Sequence, residues 1–146
     1  MKTNRKQSGF TLIELLVVIM IIVILGTVVG VQLAGKTYKA QEAAVTAQMQ
    51  NFKTALQMYR LENGMLPTQE QGLIALCRMP VVDPIPGNYA EEGYLDSLEV
   101  PLDPWGCEYV YMIPGSHGEK YEIITYGKDQ EPGGVGEEKD ISSSDR

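Results

Sequence analysis

Residues 8–16 read SGFTLIELL, a polar start that runs into an apolar stretch holding one carboxylate, Glu14. The nine residues before Phe10 are short, polar and positive, with Lys2, Arg5 and Lys6, and the chain after them stays apolar to about Val31. A secretory signal peptide would supply the positive start and the apolar stretch. No A-x-A-like cleavage site follows, however, and Glu14 stands at the edge of the stretch. A membrane anchor fits the length, since roughly 20 apolar residues span a bilayer, and the leading positive charges would keep that end in the cytoplasm. Neither reading accounts for Glu14, because a carboxylate within a membrane costs about 2.5–3.5 kcal/mol on insertion scales and is by default a functional clue.

Beyond the apolar run the pattern stays helical. Val45, Met49, Phe52, Leu56 and Tyr59 alternate at spacings of four and three, while Gln41, Gln48, Gln50, Lys53 and Arg60 occupy the opposite side. No proline falls between Phe10 and Leu66, so the spacing predicts one helix of about fifty residues, closed near Glu62-Asn63-Gly64. The expected organisation is a positive segment at 1–9, an apolar half of the helix at 10–31, an amphipathic half at 32–63 and a globular head at 64–146. Within the head, Thr68 and Gln71 form the T-x-x-Q pattern of a capping box, which predicts a short helix over Gln69–Arg78 with Leu73, Leu76 and Cys77 inward. A loop rich in proline and glycine follows. Strands are expected at Glu108–Met112 and Tyr121–Tyr126, joined by a turn at Pro114–Gly118. The fold class is α+β: a long N-terminal helix packed on a small antiparallel sheet of two or three strands.

The chain of 146 residues has a formal charge of -7. Three of its 12 basic residues lie in the first nine positions, so removal of that segment takes the charge to -10. Such a surface lacks the basic stripe that nucleic acid requires. Cys77 and Cys107 are too few for a disulfide scaffold; they form one bridge in an oxidising compartment or stay as thiols. His117, the one histidine, lies in the Gly-rich turn with no cysteine cluster to complete a zinc site or triad. No nucleophile elbow, H-E-x-x-H or phosphate-loop pattern occurs, so an enzyme is not expected. Asp103-Pro104-Trp105-Gly106 reads as a packed turn. The stretch YGKDQEPGGVGEEKDI, residues 126–141, admits two readings. It is either a solvated acidic tail or a cation loop in which Gly133, Gly134 and Gly136 let Asp129 and Asp140 converge.

Two resemblances bear on these choices. Gly9-Phe10-Thr11-Leu12-Ile13-Glu14 resembles the processing site of type IV pilins and pseudopilins. That resemblance implies cleavage between Gly9 and Phe10 by a prepilin peptidase, N-methylation of Phe10, and Glu14 as counter-ion to the new amine of a neighbouring subunit, a pairing that sets register during assembly. Then NGMLPTQEQGLIAL, GYLDSLEVPLDPWGCEYVYMIPGSHG and YEIITYGKDQEPGGVGEEKDI are similar to the major pseudopilins of type II secretion, general secretion pathway protein G, from Gly9 to Ile141. Cys107 departs from that pattern, standing where a polar residue is usual, and Gln130 stands where glycine is usual. The resemblance implies a calcium ion in the C-terminal loop, with the side chains of Asp129 and Asp140 and the carbonyl of Tyr126 as ligands and the carbonyls of Glu131 and Val135 as further candidates. It also implies a homopolymeric periplasmic filament, minor pseudopilins, an inner-membrane assembly platform and a cytoplasmic ATPase. The precursor would be a single-pass inner-membrane protein with its head in the periplasm, and the filament would drive folded proteins through the outer membrane. The alternatives are a type IV pilus or competence pilin, and a monomeric membrane-tethered binding domain for which Glu14 has no role.

Overall fold

With no proline to interrupt it, the chain forms one helix, α1 (Leu12–Asn63). The computed structural model describes residues 11–145, and the backbone alone for residues 26–36 of α1. Gly9, Phe10 and the expected leader lie outside the described residues. At the N-terminus of α1 the Thr11 hydroxyl accepts the Glu14 N–H at 3.3 Å, a side-chain cap. Glu14 stands in the first turn, where a carboxylate is favoured by the exposed amides of the helix start. At the other end Gly64 adopts φ +75° and donates to the Arg60 carbonyl at 2.9 Å, and Asn63 Nδ2 donates to the Tyr59 carbonyl. The predicted stop at Asn63-Gly64 is thus a left-handed cap.

Two compact units divide the chain, Met1–Lys39 and Ala40–Arg146. In the first, Leu12 to Leu25 are exposed all round. Among the described residues no helix is long and apolar enough to cross a membrane.

In the second unit the predicted stripe is the core. Val45, Phe52, Leu56 and Tyr59 are fully buried and Met49 nearly so. Burial of each contributes about 1.5–3 kcal/mol. They pack with Leu73, Ala75, Leu76, Tyr109, Tyr111 and Ile123. The rings of Phe52 and Tyr109 meet edge to face at 5.1 Å.

The sheet has three antiparallel strands in the order β1 (Val110–Met112), β2 (Glu122–Thr125), β3 (Ile141–Ser142). Tyr111 pairs with Ile123, and Thr125 with Ile141. Both predicted strands are shorter than expected because turns claim their ends. At the start of β1 the Cys107 carbonyl is tied to the Asp103 N–H, and after β2 the chain turns at Gly127, φ +67°. Gln69 covers the free edge of β1: its amide donates to the Tyr111 carbonyl at 2.7 Å and accepts from the Ile113 N–H at 2.9 Å.

The helix expected over Gln69–Arg78 is a single 3-10 turn, Leu73–Leu76. The capping box forms, with Thr68 Oγ1 and Gln71 Oε1 each accepting the other's backbone N–H. Gly72, at φ +59°, then breaks the helical path before a second turn can begin. Leu73, Leu76 and Cys77 face inward as predicted.

Candidate functional site

The loop that joins β2 to β3 is built from backbone that most residues avoid. Gly127, Gly133, Gly134 and Gly136 all have positive φ, and so does Gln130, at +62°. The two legs of the loop approach closely. A Cβ on Gly134 would stand 2.1 Å from the Glu138 carbonyl oxygen, and one on Gly127 would stand 3.3 Å from that of Lys139. Side chains at these positions would force the legs apart. The β2–β3 register ends on Thr125 opposite Ile141, so the next positions outward on the two strands are Tyr126 and Asp140.

Asp140 closes the loop. Its N–H donates to the Gly133 carbonyl at 3.2 Å, and its Oδ2 accepts the Gly133 N–H at 2.9 Å. Its other oxygen, Oδ1, is buried and has no hydrogen-bond partner. A buried carboxylate oxygen left unpaired is costly, and folded proteins rarely tolerate one. Asp129 is exposed and accepts the Glu131 N–H at 3.3 Å in a local turn. Tyr126 is half-buried, while Glu131 and Val135 are exposed. Carboxylate and carbonyl oxygens such as this loop carries are the type of donor that a hard divalent cation takes. The unpaired Asp140 Oδ1 is where such an ion would satisfy the fold, so the residues present fit a cation.

The other acidic elements of the head are satisfied from within. Asp103, nearly buried, accepts the Trp105 and Cys107 N–H groups on Oδ1 at 3.0 and 2.8 Å, and the Thr125 hydroxyl on Oδ2. The turn at 103–107 is therefore held by a buried carboxylate, and Trp105 is half-buried at the edge of the core. Glu122, at the start of β2, accepts the Ser116 N–H and hydroxyl on Oε2 and the Ser142 hydroxyl on Oε1 at 2.6 Å. Burial alone would raise its pKa, but these donors and the neighbouring His117 outweigh it and hold the carboxyl below its usual range.

His117 lies nearer to acids than its turn suggested. It groups with Glu119 and Glu122, their candidate ligand atoms within 4.8 Å of one another. Both Glu122 oxygens already serve the fold and Glu119 accepts the His117 N–H, so the group works as a clasp on the turn before β2. The sequence carried no signal for it, because Ser116 and Ser142 lie 26 residues apart. Thr125 was equally hidden, read only as part of a strand. The two cysteines do not pair: both are free thiols, Cys77 buried behind the 3-10 turn and Cys107 half-buried in the turn at 103–107. Burial raises the Cys77 pKa, the response of a thiol in an apolar setting. Glu14 lies exposed on α1, and Gly9 and Phe10 are outside the described residues.

Comparison with known proteins matches residues 32–144 to the family described as "Type II secretion system (T2SS), protein G" and residues 4–30 to the "Prokaryotic N-terminal methylation motif". The chain belongs to the type II secretion system protein G family. Its relatives include the type II secretion system core protein G of Escherichia coli (strain K12), 41% identical over 98% of this chain and 94% of that protein. The same core protein of Vibrio cholerae is 42% identical over 98% of this chain and 95% of its own length. The solved structure of the major pseudopilin from the type 2 secretion system of enterohaemorrhagic Escherichia coli superposes with a TM-score of 0.65 at 38% identity. It covers 76% of this chain and 92% of that one. The α+β pilin-like fold expected from the sequence is therefore the fold of the family, and the family is a structural one of the secretion machinery.

Proposed function

We propose that this protein G family member is the major structural subunit of a type II secretion pseudopilus, and that its N-terminal helix serves first as membrane anchor and then as filament core. The observation that carries this reading is the segment Leu12–Leu25. Its thirteen large apolar side chains are each 45% to 81% exposed, and Glu14 alone breaks the run. Such a surface is stable only in lipid or against other copies. In the first setting the precursor is a single-pass inner-membrane protein, its positive leader cytoplasmic and its head periplasmic. A prepilin peptidase then cuts between Gly9 and Phe10 and N-methylates Phe10. In the second setting the segment packs in the filament axis, and the Phe10 amine meets Glu14 of the next subunit. An ion pair in such surroundings contributes register more than stability. An inner-membrane platform and a cytoplasmic ATPase extend the filament, minor pseudopilins are its partners, and its growth drives folded proteins through the outer membrane.

We also infer that the loop at 126–141 holds calcium through the side chains of Asp129 and Asp140 and the carbonyl of Tyr126, with the carbonyls of Glu131 and Val135 as further ligands. The unpaired Asp140 Oδ1 supports this assignment. The bound ion would supply positive charge that several oxygens share, and so bind together a loop with no apolar core of its own.

Replacement of Glu14 tests the filament role. In cells lacking the native gene, Glu14→Ala precursor is expected to be processed and inserted normally while pseudopili and secretion are lost. Filaments at wild-type abundance would sink the pairing role of Glu14, and unaffected secretion would favour a tethered monomer.

A further inference from the structure

The side chain of Thr125 links the turn at 103–107 to the loop at 126–141. Thr125 is fully buried at the end of β2, and its hydroxyl has two partners. It donates to Asp103 Oδ2 and accepts the Gly127 N–H at 3.2 Å. The direction of the first bond follows from chemistry, since a carboxylate oxygen offers only lone pairs. The hydroxyl's one proton therefore goes to Asp103, and its lone pair is left pointing at Gly127. Asp103 is itself fixed through Oδ1 by two backbone donors. The chain of contacts thus runs from the 103–107 turn through Thr125 to the residue where the loop begins.

Gly127 is where the position of the loop is set. It takes φ +67°, lies buried, and passes within van der Waals reach of the Lys139 carbonyl on the returning leg. The peptide that carries its N–H also carries the Tyr126 carbonyl. Holding that N–H against Thr125 fixes the plane of this peptide, and with it the direction in which the carbonyl points. Thr125 also pairs with Ile141 through the backbone, beside Asp140. One buried residue therefore sits between the two arms that would face a cation.

We propose that Thr125, oriented by the Asp103 carboxylate, is the positioning residue of the cation loop, fixing the 126–127 peptide so that the Tyr126 carbonyl points toward the ion-binding side. The inference rests on the calcium reading of the loop. Outer contacts that orient metal ligands typically change affinity 10- to 100-fold when removed.

The test uses the full-length chain in detergent micelles, with calcium affinity measured by calorimetry and thermal melting recorded in chelator. Thr125→Val keeps the shape but loses the hydroxyl, and it is expected to bind calcium at least about 10-fold more weakly than wild type. Thr125→Ser restores the hydroxyl and is expected to return affinity to within about 2-fold of wild type, even if its melting temperature is lower. A merely structural residue would shift the melting temperature without this rescue pattern. Wild-type affinity in a folded Thr125→Val protein overturns the inference alone. If wild type itself binds no calcium, the loop reading fails and takes the inference with it. Should Thr125→Val fail to fold, Asp103→Asn decides the matter. It keeps an acceptor for the two backbone donors and removes the one that directs the Thr125 proton. Weakened calcium binding supports the proposal, and unchanged binding overturns it.

Discussion

The turn at Asp103–Cys107 and the loop at 126–141 use the same materials, aspartate and glycine beside a strand, and reach opposite states. Asp103 has a donor for each oxygen, all from within the protein: two backbone amides on one and a threonine hydroxyl on the other. Asp140 has an amide for one oxygen and, for the other, buried Oδ1, no partner at all. The first arrangement is complete as folded. The second leaves one buried oxygen without a donor. The two carboxylates thus differ in how many donors the surrounding chain supplies.

Breaking the complete turn has the larger effect. Asp103→Ala leaves a buried hydroxyl and two part-buried amides without an acceptor, and the loss of a buried partner runs at about 1–3 kcal/mol before relaxation. A destabilisation of about 3 kcal/mol is expected in the chemical denaturation of the full chain in chelator, and a larger one in calcium, because the variant also loses the group that orients Thr125. A loss that appears only in calcium would show that the turn, too, depends on the ion.

Asp140→Asn sharpens the comparison from the other side. In chelator the variant is expected to match wild type within about 0.5 kcal/mol, because it removes a charge whose one oxygen had no partner. Saturating calcium, at about 100 times its dissociation constant, is expected to stabilise wild type by about 2.7 kcal/mol and the variant not at all. Equal responses in the two proteins would remove Asp140 from the ligand set.

How much of this could be read in the sequence follows from the range over which each feature is encoded. The core stripe of α1, its glycine stop and the inward face of Leu73-Leu76-Cys77 depend on neighbours three or four residues away, and periodicity reports such neighbours directly. The capping box at Thr68–Gln71 was equally local. What it capped was not, because Gly72 ended the turn at once. The roles of Thr125, Glu122 and Gln69 were out of reach. Thr125 meets Asp103 across 22 residues, Glu122 meets Ser142 across 20, and Gln69 meets Tyr111 across 42. No spacing rule spans such distances. Composition does not settle the loop at 126–141 either, since an acidic tail and a cation loop share it. The atom that bears on the choice is Asp140 Oδ1, whose lack of a partner exists only once the strands have met.

Gln130 is the smallest lever and the one that asks how much of the loop's order is its own. Among the described residues it alone carries a side chain at positive φ, +62°. For a non-glycine residue that conformation costs roughly 1–2 kcal/mol. Glycine would remove the strain but gain freedom in the unfolded chain, which returns about 0.5–1 kcal/mol of it. Gln130→Gly is therefore expected to raise stability by only about 0.5 kcal/mol in chelator. Calcium affinity should change little, because the side chain is exposed and the resemblance assigns it no ligand role. If affinity instead rises several-fold with no gain in chelator, the left-handed turn at Gln130 forms only around the ion, and the loop owes its shape to the cation more than to its glycines.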